Sequence, residues 1–444
     1  MEAFEIALSS VLLMLLLIYL GMHIAITLAL LSFVGAWIIK DDVSIALNLL
    51  QIAATNTVNN FIFAVIPLFV LMGFLVAAAG MGRDAYDIGQ IMLRRVRGGL
   101  GMATVVANAI FASITGASVA SASVFSKVAV PEMMRHGYSG RFAVGTVAGS
   151  SVLGMLIPPS VLLIIYALIV EESVGSLFIA GIGPGLLLTV AFCGQIYLMA
   201  TFSPRAVLID SAPDAVAIGD AQADDLRGNV LLWRAAQIAL LVALVLGGLY
   251  GGWFTPVEAG AAGSFLALIF ALARRALTWR ILWNVLLETS SISATLLFLI
   301  CAASMYSRML GISGLPGEMA EIFAQLGAGF YGMLAFYVVV VVILGTIIDS
   351  VSIMLIMVPL FLGALKFFEI DLVWFGIVTV IATEIGLLTP PLGLSVFVVH
   401  STLNRPDISL KDIFVGSAPF ALAMLFVLIL VIAFPPIATY LVNF

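Results

Sequence analysis

Charged side chains are what this sequence has least of. Only 9% of its 444 residues are Asp, Glu, Lys or Arg, whereas 63% are hydrophobic. A soluble domain typically carries about 25% charged residues, so the composition excludes an ordinary globular protein. Most windows of about 20 residues are apolar enough to cross a bilayer as a helix. The composition therefore predicts an all-α polytopic membrane protein.

Residues that carry catalytic or metal-binding chemistry are also scarce. Cys193 and Cys301 lie inside apolar runs, and the 3 histidines lack ligand spacing. A disulfide framework or a transition-metal site is therefore not expected, and neither is a nucleic-acid partner. An intramembrane enzyme would need a nucleophile, a base or a metal cluster at depth, so this pattern argues against an enzyme. The apolar run at 6–39 has no basic segment before it, which argues against a cleavable signal peptide.

The long apolar runs predict the following membrane spans: 5–20, 22–39, 61–79, 142–169, 174–200, 231–250, 257–273, 283–309, 372–400 and 412–434. Residues 43–58 mix apolar and amide side chains, which favours an interfacial helix. The stretches 101–131 and 332–365 are long enough to cross, but "FASITGASVASAS" and "LGTIIDSVS" interrupt them at mid-depth. We expect these two stretches to differ from simple spans.

Basic residues predict how the two interrupted stretches enter the membrane. Arg94 and Arg95 precede the first stretch, and Arg135 and Arg141 follow it. Arg and Lys concentrate in cytoplasmic loops, so both ends of this stretch belong on the cytoplasmic side. A segment that begins and ends on one side is a re-entrant hairpin. When the later loops are assigned to the two sides of the membrane by their basic residues in the same way, the second hairpin enters from the opposite face.

Glycine and proline residues recur at corresponding positions in the two halves of the chain. Four pairs of residues recur at separations of 228 to 235 residues: Gly116 and Gly345, Pro131 and Pro359, Pro158 and Pro390, and Pro184 and Pro419. Together with hairpins from opposite faces, this spacing predicts an inverted-topology repeat. In secondary transporters of that kind, the binding sites lie near the midplane where the repeats meet.

Each half also breaks an apolar segment with a pair of prolines, in "MLIPPSVLLIIYALI" at 155–169 and in "LLTPPLGLSVFVVHS" at 387–401. Proline lacks an N–H and clashes with the preceding turn, so each pair frees backbone carbonyls. Free carbonyls are tolerated at membrane depth only where they line a polar cavity. Clusters of oxygen ligands suit a hard cation, and helix N-termini suit an anionic substrate group.

The hairpin tips and proline breaks therefore provide the candidate site residues. The predicted sodium ligands are Ser113, Thr115, Gly116, Ser118, Gly154, Pro158, Gly345, Thr346, Asp349, Gly386, Thr389 and Pro390. The predicted substrate ligands are Ser118, Ser150, Ser160, Ser350 and Gly393. Small residues also serve helix packing, and a single proline pair also serves as a kink, but matching positions in both halves favour binding. Two roles stay open for Glu384: a functional carboxylate within the membrane, or a carboxylate that faces a scaffold helix or the cytosol-facing rim.

Several stretches resemble the large membrane (permease) subunit of tripartite ATP-independent periplasmic (TRAP) transporters over nearly the whole chain. They are "IPLFVLMG" (66–73), "GASVASASVFSKVAVPEM" (116–133), "IPPSVLLIIYALI" (157–169), "FIAGIGPGLLL" (178–188), "FTPVEAGA" (254–261) and "IGLLTPPLGLSVFV" (385–398). The resemblance implies an elevator transporter of the bacterial inner membrane, related in architecture to divalent-anion/sodium symporters. It also implies Na⁺ as the coupling ion, with paired sodium sites at the hairpin tips.

The same resemblance implies partners and a substrate class. These are a small four-helix membrane subunit and a periplasmic solute-binding protein that delivers an organic anion, commonly a carboxylate such as a sugar acid or a dicarboxylate. No four-helix module is fused to this chain, so we expect the small subunit to be a separate polypeptide. At the first hairpin, Ser121 stands where the family pattern has an aspartate. A self-sufficient sodium/organic-anion symporter is the main alternative, and a channel is a weaker one.

The expected organisation follows the repeat. Its segments are N-terminal scaffold helices at 1–100, a first hairpin and broken helix at 101–169, a repeat-closing helix at 170–202, a cytoplasmic linker at 203–229, second-half scaffold helices at 230–331, a second hairpin and broken helix at 332–400, and a C-terminal helix at 401–444. The segments 101–169 and 332–400 are expected to form the mobile transport domain.

Overall fold

The computed structural model of the protein describes residues 3–209, 228–325, 327 and 329–442. These residues form helices and connecting turns without a β-strand, which agrees with the predicted all-α class. Most of the predicted linker at 203–229 lies outside the described residues.

The first half begins with helices in the segment that the sequence predicts to be scaffold. They are α1 (Ala3–Tyr19), α2 (Ile24–Lys40), α3 (Val43–Asn59), α4 (Val65–Ala78, preceded by a 3₁₀ turn at Phe61–Ala64) and α5 (Met81–Leu93). The first hairpin, the broken helix and the helices that follow are α6 (Gly99–Thr115), α7 (Ser118–Arg135), α8 (Gly140–Ser151), α9 (Leu153–Leu156), α10 (Val161–Val170), α11 (Val174–Phe202) and α12 (Pro204–Val207).

The second half begins with helices in the segment that the sequence predicts to be scaffold. They are α13 (Gly228–Val242), α14 (Gly248–Tyr250, after a π-helical turn at Ala243–Gly247), α15 (Pro256–Ala273), α16 (Trp279–Ser313) and α17 (Leu315–Gln325). The second hairpin, broken helix and C-terminal helices are α18 (Gly329–Gly345), α19 (Ser350–Phe367), α20 (Leu372–Leu387), α21 (Leu394–Leu403), α22 (Leu410–Ala433) and α23 (Pro436–Thr439).

Seven of the described helices are long and apolar enough to cross a membrane, or eight when the bent pair Gly140–Leu156 and Val161–Val170 counts as one span. The sequence predicts more spans because it counts apolar runs and not unbroken helices. The two N-terminal runs form helices of 17 residues each, and the run at 372–400 divides into α20 and α21.

Both interrupted stretches fold as antiparallel helix pairs. In the first, the Phe111 and Phe125 rings meet edge to face with centroids 5.6 Å apart, on opposite sides of the turn at Gly116. In the second, the Tyr337 and Phe361 rings meet at 5.1 Å across the turn between α18 and α19. Contacts between residues at similar distances before and after a turn require the two arms to run side by side.

The two broken helices pack against each other inside the protein. Every residue of α20 from Trp374 to Leu387 is buried, and so is most of α10. A helix that is apolar all round is stable only when neighbours cover all its faces. The Tyr166 hydroxyl of α10 donates to the carbonyl of Leu372, at 2.6 Å, and its ring covers Gly376 of α20. This packing holds the two proline breaks in one body.

The C-terminal helix α22 packs closely along α8. A methyl group at Gly145 would lie 2.2 Å from the carbonyl oxygen of Gly416, so the two backbones are in direct contact. Arg141 and Asp412 form an ion pair of 2.9 Å at the end of the same interface. Glycine on both sides permits this approach because neither residue has a Cβ.

Candidate functional site

The first hairpin turns at Gly116. Helix α6 ends at Thr115, and Gly116 follows in the left-handed conformation at φ 62°, which glycine adopts without steric cost. Its N–H donates to the carbonyl of Ala112 at 3.1 Å and closes the helix end. The Thr115 hydroxyl donates back to the carbonyl of Phe111 at 3.0 Å. The last carbonyls of α6 thus collect at the tip of the hairpin.

This tip touches the first proline break. The backbone N–H of Val161, the first residue of α10, donates to the carbonyl of Gly116 at 3.2 Å. A methyl group at Gly116 would lie 2.2 Å from the carbonyl oxygen of Pro159. The Pro158–Pro159 peptide is cis, and both prolines are buried. The structure therefore brings the predicted residues of the first tip and the first break together.

We call the contact between the first hairpin tip and the first proline break the first junction, and the corresponding contact in the second half the second junction. Small and hydroxylated side chains complete the first junction. Gly154 of α9 lies against the backbone between Ala117 and Ser118, where a methyl group would stand 3.0 Å from the Ser118 nitrogen. The Ser118 hydroxyl is buried and has no hydrogen-bond partner among the described residues. Ser160 caps α10 by accepting from the Leu163 N–H at 3.2 Å. Ser113 donates to the carbonyl of Ile110 in its own helix.

The second hairpin tip makes the corresponding contact with the second break. The carbonyl of Thr346 accepts from the N–H groups of Leu392 and Gly393, at 3.2 and 3.3 Å. Gly345 and Gly386 are in direct backbone contact, since a methyl group at Gly386 would lie 2.5 Å from the Gly345 Cα. The two halves thus place a hairpin tip against a proline break by the same kind of backbone hydrogen bond.

The second junction differs from the first in its exposure. Pro390 is exposed and its peptide with Pro391 is cis, whereas the prolines of the first break are buried. A cavity of about 260 Å³ lies beside Thr346 and Asp349. The hydroxyls of Thr346 and Thr389 donate to carbonyls in the preceding turns of their own helices. The remaining lone pairs of these two hydroxyls stay available as oxygen ligands.

Two carboxylates lie at the second junction in different environments. Asp349 caps α19, where it accepts from the N–H of Ser352 at 3.0 Å, and it lines the 260 Å³ cavity. Glu384 is buried in α20, with one oxygen accepting from the Ser350 hydroxyl at 2.8 Å. Its second oxygen has no hydrogen-bond partner among the described residues. The structure therefore turns Glu384 toward the hairpin tip and away from the scaffold.

Some polar groups near the junctions are absent from the sequence-based assignment. The Asn108 amide of α6 donates to the Ser150 hydroxyl at 2.7 Å, and its own oxygen lacks a partner among the described residues. The buried hydroxyls of Ser121 and Ser395 also lack partners there. Buried polar atoms are usually paired, so unpaired ones mark places for a ligand or water. An amide within an apolar hairpin arm is the signal that identifies Asn108.

A helical membrane protein with two such hairpins and two broken helices is typical of secondary transporters, in which broken helices hold ions and substrate. The family model described as "Tripartite ATP-independent periplasmic transporter, DctM component" matches residues 11–437. The chain belongs to this family and is the large membrane subunit of a TRAP transporter.

Individual relatives agree with this assignment. The chain is 32% identical to the C4-dicarboxylate TRAP transporter large permease protein DctM of Pseudomonas aeruginosa, over 89% of each chain. It is 28% identical to the sialic acid TRAP transporter large permease protein SiaM of Vibrio cholerae, over 85% of each. Among solved structures, the YdaH transporter of Alcanivorax borkumensis has a similar fold, with a TM-score of 0.64 and 16% identity over 88% of this chain and 90% of that one.

Proposed function

We propose that the protein is the large permease subunit of a sodium-coupled TRAP transporter that imports an organic anion across the bacterial inner membrane by an elevator mechanism. The observation that carries the proposal is the repeated contact between a hairpin tip and a proline break, within a member of the DctM family. One such contact would be a packing detail. Two in corresponding positions support the proposal of a pair of sites.

Sodium is the proposed coupling ion because the junctions offer oxygen atoms and little else. Helices α6 and α18 end at the two tips, where their last carbonyls lack partners within the helix and carry partial negative charge. The Ser118 hydroxyl, which has no hydrogen-bond partner among the described residues, adds an oxygen at the first junction, and Asp349 adds a carboxylate at the second. Hard cations take such ligands. The other proposed sodium ligands are Ser113, Thr115, Gly116, Gly154, Pro158, Gly345, Thr346, Gly386, Thr389 and Pro390.

An organic anion is the proposed substrate because helix N-termini also meet at the junctions. Helix α21 begins after Gly393 without a side-chain cap in the described part of the chain, and a helix N-terminus of this kind suits an anionic group. The proposed substrate ligands are Ser118, Ser150, Ser160, Ser350 and Gly393, of which Ser160 lies at the start of α10. The names of the two relatives above refer to a C4-dicarboxylate and a sialic acid, both of which carry carboxylates. We therefore propose a carboxylate without choosing between these compounds.

The proposed mobile body comprises 101–169 and 332–400, which contain both junctions. Helix α22 would move with it, because Gly416 is in backbone contact with Gly145 and Asp412 pairs with Arg141. Interfaces packed this closely slide only at high energetic cost. Helices α1 to α4 and α13 to α16 would form the static scaffold. We propose a small membrane subunit and a periplasmic binding protein as partners, in keeping with a tripartite transporter family.

Uptake into proteoliposomes tests the proposal. The chain is reconstituted alone, with its small subunit, and with both the small subunit and the loaded binding protein. Radiolabelled C4-dicarboxylates and sialic acids are offered with an inward sodium gradient, with potassium in place of sodium, and with an ionophore that collapses the gradient.

We expect uptake only with the complete set of proteins and a sodium gradient. Equal uptake by the chain alone would instead establish the self-sufficient symporter. Uptake that is indifferent to sodium in the complete system would contradict sodium coupling. Rapid flux down the substrate gradient, without saturation, would favour a channel.

A further inference from the structure

A second polar site lies away from the hairpin tips. A cleft of about 940 Å³ opens between α5, α7 and α13, beside Arg274 at the end of α15. Its lining includes six Arg and Lys side chains and three carboxylates, which leaves a net charge of +3 with histidine neutral. We call it the basic cleft. In a chain where 9% of residues are charged, such a concentration is exceptional.

Helical register explains why the charges converge. Arg83, Asp87, Gln90 and Arg94 recur on α5 at three- and four-residue spacing, which places them on one face. On α7, Lys127, Pro131 and Arg135 recur at four-residue spacing, and Trp233, Arg234 and Gln237 share a face of α13. Three helices therefore turn their polar faces toward one volume.

Part of the basic cleft is neutralised internally. Asp84 is 4% exposed and forms ion pairs with Arg234, at 3.1 Å, and with Arg274. Arg234 also pairs with Asp87 at 3.2 Å. Arg274 donates further to Gln237 and to the carbonyl of Ala79. These bonds hold the side chains of one wall of the cleft in place and neutralise two of its cations, Arg234 and Arg274.

Arg135 pairs with Glu132 at 3.4 Å, which neutralises a third cation of the basic cleft. Arg94 and Lys127 form no ion pair within 4.0 Å in the parts of the chain that the structure describes. Burial raises the pKa of the Asp87 carboxyl above its ordinary value, and the nearby Arg83 offsets only part of this rise. Like charges that face one cleft repel each other, so an anion bound between them would be stabilised.

We propose that the basic cleft binds the phosphate group of an anionic phospholipid. Trp233, whose side chain is exposed, lines the same cleft, and tryptophan concentrates at the level of lipid headgroups. The basic residues predict that this end of the helices faces the cytoplasm. Basic pockets between membrane helices on that side suit anionic headgroups, because Arg forks match phosphate oxygens and Lys adds a point charge.

The lipid would join two parts of the protein. Its phosphate would lie between Lys127 on α7, an arm of the first hairpin, and the α5 and α13 side chains that Asp84 and Asp87 hold in place. This site is distinct from the sodium and substrate sites, and its existence does not depend on the proposed function. A soluble phosphate has the same recognition chemistry, so the experiment separates the two sources.

The test uses the purified full chain, stripped of lipid in detergent. Phosphatidylglycerol, cardiolipin, phosphatidylcholine or inorganic phosphate is added, and bound molecules are detected by native mass spectrometry together with the shift in melting temperature. The test variant is Arg94→Gln/Lys127→Gln. The matched control is Arg95→Gln/Arg97→Gln, which removes the same charge from exposed residues next to the cleft that do not line it.

We expect the anionic lipids to bind and stabilise the wild-type chain and the control, and phosphatidylcholine to do neither. In the test variant the apparent affinity falls about thirtyfold, because each of the two removed cations contributes about 1 kcal/mol. Equal binding by the test and control variants would overturn the proposal. Stabilisation by inorganic phosphate as strong as that by the lipids would overturn the lipid assignment.

Discussion

Replacing Gly116 by alanine perturbs the contact on which the site depends. Gly116 has φ 62°, and its added methyl group would lie 2.2 Å from the carbonyl oxygen of Pro159. The left-handed conformation costs a residue with a Cβ about 1–2 kcal/mol, and overpacking costs typically about 1–3 kcal/mol. The neighbouring atom belongs to the backbone of the break, so it cannot move as a flexible side chain would. We expect Gly116→Ala to destabilise the protein by about 2–5 kcal/mol.

Gly137→Ala is the matched control. Gly137 also has a left-handed conformation, at φ 79°, but nothing lies within 4 Å of the position of an added methyl group. This control should therefore lose only the conformational part, about 1–2 kcal/mol. The difference between the two variants isolates the contact between the first tip and the first break.

The assay combines unfolding in detergent with sodium-driven uptake per folded molecule. Gly116→Ala should separate Pro159 from the tip, weaken the hydrogen bond from Val161 and lose most of its uptake. Gly137→Ala should transport nearly normally. Equal stability and equal uptake in the two variants would refute the contact at Gly116.

Two further predictions concern the second junction and the membrane topology. Asp349→Asn keeps a good helix cap, so the fold should remain stable while uptake requires more sodium and partly recovers at high concentration; an unchanged sodium dependence would remove Asp349 from the ion site. Cysteines at Arg95 and Arg135 should both react with an impermeant reagent from the cytoplasmic side only, and labelling from opposite sides would contradict the first re-entrant hairpin.

The proline pairs yield a prediction of the same kind. Pro390→Ala/Pro391→Ala should insert and fold, because alanine is apolar and a good helix former, yet transport poorly as a continuous helix takes up the free carbonyls. A simple packing kink predicts lower stability with near-normal uptake per folded molecule, and that result would place the site elsewhere.

The local features of the fold follow from the sequence. Proline pairs break helices wherever they stand, and a glycine before small polar residues ends a helix at the first tip, so the breaks at 158–159 and 390–391 and the tip at Gly116 are all predictable. Composition alone determines the all-α membrane class. The antiparallel arms agree with the predicted hairpins, whereas their entry from opposite faces stays a prediction.

Contacts between residues that are far apart in the sequence cannot be predicted from local sequence preferences. The bond from Val161 to Gly116, and that from Ser350 to Glu384, depend on how helices pack and not on local preference. Counting apolar runs gives more spans than there are long unbroken helices among the described residues, because an apolar run such as 372–400 gives no length for its separate helices. The amide of Asn108 in an apolar arm is a signal in the sequence, but its bond to Ser150 depends on how α6 packs against α8.

Locating the bound sodium ions is the most direct test of the central claim. Maps of the purified protein are determined by cryo-electron microscopy in sodium and in potassium, at a resolution that shows ions. We predict sodium-dependent density at both junctions, beside the carbonyl of Gly116 in one half and beside Thr346 and Asp349 in the other. Sodium-dependent density elsewhere, with both junctions unchanged between the two maps, would contradict the account.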